Sequence, residues 1–74
     1  MSKLPRLSGK EAVHLFEKNG WSLSRVKGSH HIMKSPDGRT AVIPVHGNAT
    51  LHTGILNTLL RKHLKLSDEE IADL

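Results

Sequence analysis

From the N-terminal end, the first apolar positions that recur at helical spacing are Ala12, Val13, Leu15 and Phe16. Residues three and four apart share a helix face, so this set predicts an amphipathic helix. Its start is marked by Ser8-Gly9-Lys10-Glu11. That is a capping box: the Ser8 hydroxyl accepts the Glu11 amide, and the Glu11 carboxylate accepts the Ser8 amide. Its end is marked by Asn19-Gly20, because glycine takes the left-handed conformation at little cost. The pattern predicts a helix over about residues 9–19, after a basic lead-in over residues 1–7.

Three short segments beyond it read as strands: Trp21 to Val26, Ser29 to Lys34 and Arg39 to Val45. Lys27-Gly28 makes a tight connection between the first two. Ser35-Pro36-Asp37-Gly38 is a turn, since proline presets φ at the second position and glycine tolerates the backbone angles at its end. Pro44 cannot donate a ladder hydrogen bond, which puts it at a strand end or a sheet edge. These segments predict a three-stranded antiparallel meander. After a loop at His46-Gly47-Asn48-Ala49-Thr50, Thr53 is placed to cap a second helix. Ile55, Leu56, Leu59, Leu60 and Leu64 line one face of it. Ser67 and Glu70 form a second capping box, with Leu66 and Ile71 as its hydrophobic staple.

The order is therefore helix, three strands, helix and a short acidic helix. It predicts a two-layer α+β domain with both main helices on one face of the sheet. The α-β-β-β-α succession is that of double-stranded-RNA-binding domains, with a short extra C-terminal helix. One domain is expected over residues 1–74, with a core over about 8–66 and the acidic helix over about 67–74.

Charge adds a partner class to this picture. Four of the seven carboxylates fall at Asp68, Glu69, Glu70 and Asp73, so residues 1–67 hold all eleven Lys and Arg against three carboxylates, a net +8. A body this basic suits an anionic partner, nucleic acid above all. The chain has no cysteine, which rules out disulfides and thiolate zinc sites. No apolar run approaches the length of a membrane span, and Met1-Ser2-Lys3-Leu4-Pro5 has no apolar signal core. A cytoplasmic protein without a membrane association is expected. The only Phe and Trp, Phe16 and Trp21, read as core, which argues against single-strand binding by base stacking, since that needs aromatic platforms. Contacts to phosphates, 2′-hydroxyls and groove shape need only Lys, Arg and polar groups.

Six histidines, at 14, 30, 31, 46, 52 and 63, are the candidates for proton transfer. His14 and His63 read as ordinary helix residues. His30 and His31 come directly after Gly28-Ser29 and are flanked by Arg25, Lys27 and Lys34. Scission of an RNA phosphodiester needs a base for the ribose 2′-OH, an acid for the leaving oxygen, and cations for the phosphate charge. A histidine among Lys and Arg meets that need without a metal. Neighbouring strand residues face opposite ways, so His30 and His31 cannot share one ion. His46 and His52 match no metal-ligand spacing. No nucleophile elbow or phosphate-cradling loop is present.

Lys27-Gly28-Ser29-His30-His31-Ile32-Met33, then Pro36-Asp37-Gly38-Arg39, then Val42-Ile43-Pro44-Val45-His46 together resemble the HicA (YcfA-like) toxin family. Thr53-Gly54-Ile55-Leu56-Asn57-Thr58-Leu59-Leu60 and Leu66-Ser67-Asp68-Glu69-Glu70 continue the likeness, which runs from about Ser8 to Leu74. The resemblance implies a double-stranded-RNA-binding-like fold and a metal-independent endoribonuclease that cleaves mRNA and arrests growth, with no cofactor. It also implies a HicB-like antitoxin as partner, expected to be acidic because it competes with RNA for a positive face. The family's catalytic histidine maps onto His30, with His31 as the alternative. Lys27, Gly28, Ser29, Lys34, Arg39 and His46 are the expected RNA-binding residues. Two other readings remain: a non-catalytic double-stranded-RNA-binding module, and a DNA-binding regulator that uses the second helix for recognition.

Overall fold

The computed structural model describes residues 4–74; Met1–Lys3, the start of the expected basic lead-in, lie outside the described residues. Helix α1 spans Gly9–Lys18. The Ser8 amide donates to the Glu11 carboxylate at 2.9 Å and the Glu11 amide to the Ser8 hydroxyl at 3.2 Å, so the capping box is complete. Ala12 and Phe16, one turn apart, are buried. The helix ends at Asn19. Gly20 adopts φ +88°, and the amides of Gly20 and Trp21 donate to the carbonyls of Glu17 and Phe16. This pair of bonds is a Schellman closure, which satisfies the last helical carbonyls.

Strands β1 (Ser22–Lys27), β2 (His30–Lys34) and β3 (Thr40–Pro44) form an antiparallel meander in the order β1-β2-β3. Their ends fall within a residue or so of those the sequence predicts. Trp21 stands before β1 and is 5% exposed, its ring edge-on to Phe16 with centroids 4.9 Å apart. Met33, Ala41 and Ile43 are buried beneath the helices, and the residues that alternate with them face outward.

Helix α2 spans Thr53–Asn57 and runs on, through helical dihedrals at Asn57 and Thr58, into a π-helical segment over Thr58–His63. Thr53 is not its cap. Thr53 is the first helical residue, and the imidazole Nδ1 of His52 accepts the Gly54 amide at 3.1 Å. Leu56, Leu59 and Leu60 are buried and Leu64 is packed against the core, but Ile55 remains 40% exposed. The Leu64 amide donates to Leu59, five residues back, and Lys65 leaves the helix at φ +56°.

Helix α3 (Asp68–Ala72) is held by the predicted Ser67–Glu70 capping box. It sends Ile71 into the core at 1% exposure, alongside Phe16, Met33, Ile43, Leu56 and Leu60. The α-β-β-β-α order with a short C-terminal helix is the predicted one. No helix among the described residues is long and apolar enough to cross a membrane.

Candidate functional site

The site is built on the β1–β2 hairpin. Gly28 has φ +60°, the conformation that a two-residue hairpin turn demands of its first central residue. A Cβ there would meet nothing within 4 Å, so the backbone angle alone calls for glycine. The Ser29 carbonyl accepts the Val45 amide at 2.7 Å, which ties the turn to the chain leaving β3. His46 is the next residue and is exposed, so Lys27, Gly28, Ser29, His30 and His46 gather at one end of the sheet.

Strand alternation separates the two candidate histidines. His30 is exposed; His31 is half-buried on the side of Met33, and its Nδ1 is buried with no hydrogen-bond partner among the described residues. His30 lies opposite Lys27 on β1 and Pro44 on β3. Directly opposed residues have Cβ atoms about 5 Å apart, so Lys27 and His30 project from neighbouring positions on the open face. The next row on the open face is Arg25, Ile32 and Val42, and the last is Ser22, Lys34 and Thr40. Lys34 is four residues from His30 along the strand, roughly 13 Å.

Arg25 joins this face because of a β-bulge. Register shifts between Leu23 and Arg25, so that Ser24 is the extra residue and Arg25 pairs with Ile32. Without the bulge Arg25 would oppose His31 and point toward the helices. Sequence reasoning did not count Arg25 among the RNA contacts, because a one-residue insertion in a ladder leaves no compositional mark. Arg25, Lys27 and Lys34 are exposed, and none takes part in an ion pair among the described residues.

Arg39 is placed differently. It lies before β3, at the end of the sheet away from His30, and its guanidinium is partly engaged. Nε donates to the Asp37 carboxylate at 3.1 Å, Nη1 donates to the His63 carbonyl at 3.1 Å, and the group lies 5.3 Å from the Trp21 ring centroid. The Asp37 carboxyl, hydrogen-bonded by the Ser35 hydroxyl and by Arg39, is held below the usual carboxylate range.

A cavity of about 430 Å³ opens between β3 and the helix that begins after the 46–52 loop. Val42, Ile55 and Leu59 form its apolar walls, with His52, Thr58 and His63 as its polar groups. Burial, then the positive charges of Lys62 and Arg39, hold the His63 pKa below its usual 6.5. Sequence reasoning treated His63 as an ordinary helix residue and did not bring it near His52. Among the described residues no three His, Cys, Asp or Glu side chains group to hold a metal ion.

The sequence profile of the family described as "HicA toxin of bacterial toxin-antitoxin" matches residues 9–65, from the start of α1 through all three strands to just past the π-helical segment. The chain belongs to the HicA toxin family. A HicA toxin is one half of a toxin–antitoxin pair, so this family member has an antitoxin as its partner. The matched span contains the hairpin, both neighbouring histidines and the cavity; α3 lies beyond it. No curated protein matches the chain.

Proposed function

We propose that this HicA-family toxin is an endoribonuclease that cleaves mRNA, with His30 as its general acid or base. Supporting the reading most directly is the exposed His30 imidazole beside Lys27, on an open sheet face that also presents Arg25 and Lys34 without carboxylate partners. His30 removes the proton of a ribose 2′-OH. The 2′ oxygen attacks phosphorus, the P–O5′ bond breaks, the 5′ oxygen takes a proton from water, and the hydroxide left takes the proton held by His30. The products are a 2′,3′-cyclic phosphate and a 5′-hydroxyl. Lys27 stabilises the charge that develops on the phosphate oxygens.

Arg25 and Lys34 hold phosphates further along the strand, and His46 a phosphate near the hairpin. Gly28 and Ser29 shape the backbone beside the scissile group. Arg39 has a structural part, because its Nε and Nη1 are engaged by Asp37 and the His63 carbonyl. The antitoxin partner is an acidic, HicB-like protein that covers the same face. No bound metal or cofactor enters this chemistry.

The test is incubation of the purified protein with 5′-labelled RNA, with and without EDTA. Fragments ending in cyclic phosphate, formed equally in EDTA and absent with His30→Ala, are expected. RNA retained without fragments would instead support a non-catalytic RNA-binding module. Cleavage abolished by EDTA would overturn the metal-free mechanism.

A further inference from the structure

We propose that the cavity between β3 and α2 is a nucleobase subsite, which takes the base of a nucleotide next to the scissile phosphate. The inference deepens the RNA-cleavage reading and rests on it for the orientation of the substrate. Its starting point is a shared wall. Val42 lines the cavity and also lies on the open face of the sheet, two residues from Pro44, the cross-strand partner of His30. Such a diagonal neighbour stands about 7–8 Å away, comparable to one step along a nucleic-acid backbone. A phosphate at His30 therefore brings an adjoining base over Val42.

The lining suits a flat heterocycle. Val42 and Ile55, 48% and 40% exposed, are apolar side chains left partly open to solvent. His52 and His63 add planar rings, and imidazole is one of the platforms on which proteins stack unpaired bases. Phe16 and Trp21 are buried, so no larger aromatic ring competes for that part. The polar groups have defined directions of hydrogen bonding. The Nδ1 of His52 is occupied by the Gly54 amide, which leaves its Nε2–H as a donor. The Thr58 hydroxyl donates to the Gly54 carbonyl, so its oxygen can only accept from a ligand. A few fixed polar groups on apolar walls are what a small-ligand pocket requires.

His52→Asn separates the two duties of this residue. Asparagine is among the best helix caps, so the start of α2 is kept while the ring is lost. The four nucleoside 5′-monophosphates and inorganic phosphate are titrated into full-length protein, with amide shifts read by NMR. Shifts at Val42, Gly54, Ile55 and Thr58 that differ among the four bases are expected, with binding weakened about tenfold in His52→Asn. Shifts confined to the Lys27–His30 hairpin, or matched by inorganic phosphate, would overturn the subsite. Cleavage of RNA oligonucleotides that vary only beside the scissile bond is the second reading. Wild type should prefer certain bases at one flanking position, and His52→Asn should shrink that preference about tenfold. Unchanged preferences sink the subsite and leave the nuclease standing. Base-dependent shifts in a protein that cuts no RNA sink the nuclease and leave the subsite.

Discussion

His30 and His31 are joined by one peptide bond, yet the His30 ring is exposed on the open face of the sheet while the His31 Nδ1 is buried on the helix side without a partner among the described residues. The two side chains therefore answer to different physics. Removing the His30 imidazole takes away the proposed proton carrier, and general acid–base groups typically contribute about 10²–10⁴ in rate. His30→Ala should lose at least about 100-fold in cleavage with an unchanged melting temperature. His31→Leu removes a buried polar atom that has nothing to bond. It should keep full cleavage and gain up to about 1 kcal/mol in a urea titration. A folded His31→Leu protein that no longer cuts RNA would reverse the assignment of the two rings.

That separation was legible in the sequence only as an alternative, because alternation says that neighbours face apart without saying which faces out. Most of the local chemistry was legible. Ser8–Glu11, Ser67–Glu70 and Asn19-Gly20 each specify a helix end through atoms within four residues. Most of the features that remained hidden depend on distant partners. Ser24 bulges out of the ladder, so Arg25 changes face. His52 caps α2 with a ring nitrogen, a task that Thr53 seemed better suited to by composition. Arg39 is drawn off by His63, a residue 24 positions away. Ile55 fits the apolar stripe of its helix but meets the cavity, since three strands are too narrow to cover it.

The Cα of Gly9 sits so close to the Pro44 carbonyl oxygen that an added Cβ would lie 2.1 Å from it. In an ordinary helix Gly→Ala stabilises by up to about 1 kcal/mol. Here the sign should reverse, because the obstacle is backbone and cannot rotate away. Gly9→Ala is expected to destabilise by about 1–3 kcal/mol, the usual cost of forcing atoms into a packed interior. Pro44 is the cross-strand partner of His30, so cleavage should fall as well. A urea titration with the cleavage assay at a temperature where the variant is folded checks both. A more stable Gly9→Ala protein would contradict the close approach.

His63 supplies a pH dependence with a definite sign. Its folded pKa is lowered, first by burial and then by Lys62 and Arg39, from the usual 6.5. Below that value the unfolded chain binds a proton that the folded chain resists, so stability rises with pH across this window. The contribution is fully present above about 6.5 and is lost as pH falls toward the folded value. The lowered carboxyls, Asp37 and Glu70, lose theirs only in the more acidic range near the carboxylate pKa. Urea midpoints should therefore drop between pH 7 and 5.5 in wild type and change less in His63→Gln. Equal slopes in the two proteins would remove His63 as the cause.

Arg39 and Lys27 are both cations near the sheet, and salt dependence tells them apart. Each phosphate contact releases counterions, so losing one flattens the slope of log K against log salt by about 0.7 on a single strand. Lys27→Gln and Lys34→Gln should each show that change with little effect on stability. Arg39→Lys keeps the charge but cannot reproduce a fork that spans the Asp37 carboxylate and the His63 carbonyl while lying over Trp21. Its cost should be about 1–2 kcal/mol in urea unfolding, with the salt slope unchanged. The guanidinium joins the turn before β3 to the end of the π-helical segment, so its loss loosens the packing around Trp21 rather than the grip on RNA. Arg39→Gln should also leave the salt slope unchanged, and a flattened slope in a folded Arg39→Gln protein would move Arg39 back among the phosphate contacts.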